Sequence, residues 1–127
     1  LDIKLNKKAQ YFQLATNDGW EKVLGHGIKV GDHLFCIVPF KSELVISEAQ
    51  SGAQLMNVSY PEELYQVLET KEEVMKLFEI LGEEIKKVIE SVDDFDEHVN
   101  QLIDMTKEQL GEKPNMVLWE GVYWEDV

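Results

Sequence analysis

The chain has 127 residues, is 44% hydrophobic and carries a formal net charge of −13. That length suits one domain built on one core, and the apolar fraction is too high for a disordered chain in spite of the charge. All twelve basic residues are lysines, so the planar fork with which arginine grips phosphate is missing, and the net charge opposes direct nucleic-acid binding.

No apolar run approaches the roughly 20 residues needed to span a bilayer, so the expectation is a cytoplasmic protein with no membrane partner. Cys36 is the only cysteine. Set inside "LFCIVP", it has no internal disulfide partner and reads as a buried structural thiol of a reducing compartment. The whole chain, 1–127, is expected to be one domain, with residues 1–8 a disordered or cleavage-derived arm because residue 1 is Leu.

Taken in chain order, "YFQLA" reads as a strand that pairs across "TNDG" with a strand beginning at Trp20. From Trp20 to Val58 the segments "WEKVL", "IKV", "HLFCIVP", "ELVISEA" and "AQLMNVS" are rich in β-branched and aromatic residues. "GHG", "VGD" and "QSGA" punctuate them, the pattern of a β-meander. In "ELVISEA", Leu44 and Ile46 alternate with Val45 and Ser47 as on a half-buried strand, whereas "LFCIV" is apolar throughout and belongs at the centre of the sheet. Gly25 and Gly27 around His26 predict a tight bend or bulge.

After Val58 the hydrophobic period becomes helical. Ser59 with Glu62, Thr70 with Glu73 and Asp94 with Glu97 each have the spacing of a capping box, which predicts three helix starts. The first helix, near Pro61 to Glu69, is short. The second carries Val74, Leu77, Phe78, Leu81, Ile85, Val88, Ile89 and Val92 at steps of three and four, one apolar stripe over roughly 20 residues. Its polar face offers Glu72 with Lys76 and Glu83 with Lys87 as i, i+4 pairs. The third helix runs from Phe95 to Leu110, with Phe95, Val99, Leu102 and Ile103 inward and Gly111 as its stop. "MVLWEGVYWEDV" then returns to strand character, either rejoining the sheet or forming a hairpin at Glu120 and Gly121. The expected fold class is therefore α+β: an antiparallel β-meander over about residues 10–58 plus a C-terminal strand, packed against an antiparallel helix pair over about 70–110 with a short preceding helix.

Motifs for chemistry are absent. There is no G-x-S-x-G, H-E-x-x-H or C-x-x-C, and "GHGIKVG" lacks the Lys-Ser/Thr ending of a phosphate loop. No catalytic residue and no cofactor is assigned, and the expectation is a non-enzymatic protein. His26, His33 and Cys36 are metal-ligand types within eleven positions, but strand alternation puts His33 and Cys36 on opposite faces. Asp94 and His98 stand at i, i+4, a pair short of a full ligand set. No metal site is assigned.

What remains is charge. Residues 1–59 hold six acids and six lysines; residues 60–127 hold nineteen acids against six lysines and so carry the entire net charge. Glu79, Glu83, Glu90, Asp93, Asp94, Asp96 and Glu97 are the candidate contact residues for a basic surface of a partner protein, because such a field attracts cationic surfaces. In size and charge alone the chain is similar to small acidic proteins of phages and mobile elements that act as nucleic-acid mimics against host defences. The implied function is an acidic inhibitor or adaptor. The alternative is a small-ligand-binding domain or accessory subunit with an aromatic-lined sheet surface, for which Trp119, Tyr123 and Trp124 are the candidates, with Tyr11, Phe12, Trp20 and Phe40 as further aromatics.

Overall fold

Alternation along one strand organises the molecule. The computed structural model describes residues 2–6, 9–40, 43–59, 71–114 and 124–126. In chain order they form β1 (Ile3–Asn6), β2 (Gln10–Thr16), β3 (Gly19–Val30), β4 (His33–Phe40), β5 (Glu43–Glu48), β6 (Gln54–Ser59), α1 (Lys71–Ser91), α2 (Phe95–Leu110) and β7 (Trp124–Asp126). The strand order is β6-β5-β4-β3-β1-β7 with β2 on β3, and the pairings are antiparallel. This is the expected α+β class. The short helix predicted near residues 61–69 lies outside the described residues.

β4 is apolar at successive positions because both of its faces are covered. Phe35 and Ile37 point into the larger core with Leu44 and Ile46 of β5 and Phe78, Leu81, Ile85 and Ile89 of α1. Leu34, Cys36 and Val38 point the other way, into a second core with Phe12, Leu14, Val23 and Ala49. The sheet curls to make that second core: the β2–β3 hairpin reaches the turn after β5, where Ala15 N–H donates to Gly52 O at 2.9 Å.

The curl corrects the reading of "GHG". β3 runs unbroken through Gly25, His26 and Gly27, and what changes there is its partner. Gly19–Gly25 pairs with β2, while Ile28–Val30 pairs with β1 and His26–Val30 pairs on the other edge with β4. Between the pairs Leu5↔Ile28 and Gln10↔Gly25, the β1–β2 side spans more residues than β3 does. β3 thus exchanges one antiparallel partner for another between Gly25 and Ile28 while remaining a single strand. Gly25 serves close approach: a Cβ there would sit 2.7 Å from Cys36 Sγ and 2.9 Å from Ile37 O.

Within the segment expected to be an arm, residues 3–6 belong to the sheet. Ile3–Asn6 is a strand whose Ile3 and Leu5 are core residues; their alternation with Lys4 is the period-2 signal of a half-buried strand. β7 rejoins the sheet on β1, with Lys4↔Asp126, Leu5↔Glu125 and Asn6↔Trp124 in register.

The helices follow their sequence signals. Phe78, Leu81, Ile85 and Ile89 are buried along one face of α1, and a Cβ on Gly82 would sit 2.7 Å from Ile3 Cγ2, so Gly82 permits a close approach of the helix to β1. Lys87 Nζ pairs with Glu84 Oε1 at 3.0 Å, one step from the expected Glu83, and at these exposures such a pair adds at most about 1 kcal/mol. α2 spans Phe95–Leu110 as predicted: Asp94 Oδ1 accepts from Glu97 N–H at 3.1 Å, and Gly111, at φ 80°, donates its N–H to Lys107 O. No helix among the described residues is long and apolar enough to cross a membrane.

Candidate functional site

The seven acids singled out in the sequence are all exposed, but they are not one uniform surface. Glu79, Glu83 and Glu90 stand four and then seven residues apart on α1, one row of the helix surface. Lys76, Lys86 and Lys87 are interspersed with them along the helix. The charge concentrates instead at the α1–α2 junction, where Glu90, Asp93, Asp94, Asp96 and Glu97 follow one another with no lysine between Lys87 and Lys107.

Two of these acids have structural duties. Asp94 caps α2, and Asp96 Oδ1 lies 3.1 Å from His33 Nε2. His33 is held edge-on to Phe95, with ring centroids 4.6 Å apart, so the pair ties the start of α2 to the start of β4. Among the described residues no hydrogen bond or ion pair engages the carboxylates of Glu79, Glu83, Glu90, Asp93 or Glu97. All five side chains are exposed.

The other sequence candidates do not assemble. His26 stacks near Phe78 at 5.3 Å and His33 near Phe95, while Cys36 points to the opposite face of β4. Burial pushes the Cys36 thiol up to about 12, where it is no nucleophile at neutral pH. Among the described residues no three His, Cys, Asp or Glu side chains converge as metal ligands. Trp119 and Tyr123 lie outside the described residues. Trp124 is placed by its backbone alone, in β7 opposite Asn6. An open cleft of about 440 Å³ at the β3–β4 turn is lined by Asp2, Lys4, Lys29 and Asp32, two charges of each sign.

A second constellation was not foreseen. The turn after β5 is built on Glu48, which is 1% exposed and whose carboxylate accepts Gln50 N–H at 2.8 Å and Ser51 N–H at 2.7 Å. Backbone bonds Gly52 N–H to Glu48 O and Glu48 N–H to Ala53 O close the turn. Gly52, at φ +73°, carries no Cβ because one would sit 2.6 Å from Trp20 Cζ3; the indole rests against the turn. From the far end of the chain, Lys113 Nζ donates to Ala49 O at 2.7 Å. Burial lowers the Lys113 pKa from its ordinary value, and the charge of Glu48 opposes that shift.

Trp20, Gln50, Ile103, Thr106, Lys107 and Lys113 line a cavity of about 220 Å³ between this turn and the last turns of α2. Glu112 lines it as well, its carboxylate 3.0 Å from Lys107 Nζ. The Trp20 Nε1–H is buried with no acceptor among the described residues, and an unsatisfied buried donor costs about 1–3 kcal/mol. A charged residue closing an apolar strand and followed by Gln-Ser-Gly was the only local sign of this turn. Convergence of residues 20, 50 and 113 has no sequence signature at all.

No protein-family model, curated protein or solved structure matches this chain. The chemistry of the side chains is therefore the whole basis for a functional reading.

Proposed function

We propose that this protein acts by binding, its α1–α2 junction engaging a basic surface of a partner protein as an inhibitor or adaptor. The observation that carries the reading is the run of exposed carboxylates from Glu90 to Glu97, unbroken by any cation and in large part without partners among the described residues. A carboxylate held in solvent without a partner contributes little to folding, whereas five within eight residues produce a local field that speeds encounter with cationic surfaces. A partner cleft that ordinarily holds nucleic acid has the complementary charge, which fits the nucleic-acid-mimic form of the reading. Glu79 and Glu83 extend the surface along α1.

The test uses a charge reversal that spares the cap and the His33 contact: Glu90→Lys, Asp93→Lys and Glu97→Lys together. A partner isolated from the native host with the full chain should associate at least about tenfold more slowly with this variant, and more slowly with the parent protein as salt rises past the Debye regime of about 8 Å at physiological ionic strength. Thermal stability should be nearly unchanged. Binding that ignores both salt and the reversal refutes the proposal.

A further inference from the structure

We infer that the cavity between Trp20 and the end of α2 is a binding site for a small monocarboxylate carried on a flat apolar ring. This site is separate from the acidic junction and stands on different residues. Its floor is rigid: the turn from Glu48 to Ala53 is bonded to itself, to β2 through Ala15 and to β4 through Ala49 N–H on Leu34 O, and the Trp20 ring lies against Gly52. Its opposite wall is Ile103 and Thr106, and the Thr106 hydroxyl is spent on the carbonyls of Leu102 and Ile103 at 3.0 and 3.2 Å. Those groups select an apolar body.

The polar end is cationic. Lys107 and Lys113 line the cavity together with Glu112, one net positive charge in the lining of a chain of net charge −13, and the charge of the buried Glu48 favours the protonated form of Lys113. Lys113 gives one of its three N–H bonds to Ala49 O, and a carboxylate is the acceptor that suits the others. Lys107 is shared with the exposed Glu112, so an incoming carboxylate competes with a carboxylate already in the lining. The volume is about 220 Å³. One six-membered ring bearing a carboxylate fits a space of that size. An aromatic wall with a few convergent polar groups is the usual composition of a small-molecule site.

Benzoate is the probe, and benzamide is its uncharged match in shape. In heteronuclear NMR of the full chain, the indole N–H resonance of Trp20, assigned from its loss in Trp20→Phe, should move saturably with benzoate and at least tenfold less readily with benzamide. Lys113→Met should weaken benzoate by tenfold or more, the usual loss for one charge-assisted hydrogen bond. Glu112→Gln, which frees Lys107, should tighten it. Should Lys113→Met fail to fold, Lys107→Met decides in its place, because that side chain is 61% exposed and its loss leaves the fold intact; a severalfold weakening is then expected. Absence of a saturable shift with millimolar benzoate overturns the inference, as does binding that is indifferent to both lysines and to the charge of the probe.

Discussion

Ile80 and Leu81 are neighbours in α1 with opposite fates: Ile80 is 60% exposed and Leu81 is 1% exposed, a member of the larger core. Truncating each to Ala tests the helix rotation directly. Leu81→Ala removes three buried carbons, about 2.4 kcal/mol at ~0.8 kcal/mol per methylene. The cavity left behind raises the expected loss to about 3–5 kcal/mol, because a sheet and a helix on either side cannot close fully around it. Ile80→Ala removes atoms that are already in water and replaces a β-branched residue by the best helix former, so its effect should lie within about 0.5 kcal/mol of zero. Urea unfolding followed by helical circular dichroism measures both; the slope with denaturant should stay constant while the midpoint falls for Leu81→Ala alone. In a thermal scan the same loss lowers the midpoint by roughly 10 °C or more. Equal losses for the two variants, or a larger loss at Ile80, would show that the apolar stripe of α1 does not face the sheet.

Other perturbations probe the caps, the turn and the buried thiol. Asp94→Ala should lower stability by about 1 kcal/mol through loss of the N-cap, and Asp94→Asn should restore most of it; a loss equal for Ala and Asn would assign the effect to charge. Gly52→Ala should cost about 2 kcal/mol or more in urea unfolding, since a Cβ meets Trp20 Cζ3 at 2.6 Å and Gln13 O at 2.8 Å in a backbone region that L-residues disfavour. Cys36, with its pKa pushed up to about 12 by burial, should react with an aromatic disulfide reagent at pH 8 only at the rate at which the protein opens; prompt reaction in the native state would contradict its place in the second core.

Local physics was legible in the sequence. The ends of α2 were set by one carboxylate three residues before Glu97 and by one glycine after Leu110, and both act within a single turn of backbone. The rotation of α1 was set by a stripe whose period no other structure satisfies. The unbroken apolar run in β4 announced two covered faces but not what covers them. That was decided by the change of partner along β3, from β2 at Gly19–Gly25 to β1 at Ile28–Val30, with Phe12 and Leu14 packed beside Cys36 in the second core, and no residue type codes for such a change. The acidic junction could be counted from the chain, because charge is additive along it. Which acids are committed could not: Asp96 meets His33 only because β4 brings it there, sixty-three residues away. The cavity at Trp20 lies wholly on the tertiary side, since its ring, its floor and its two lysines come from four segments whose meeting depends on how the sheet curls.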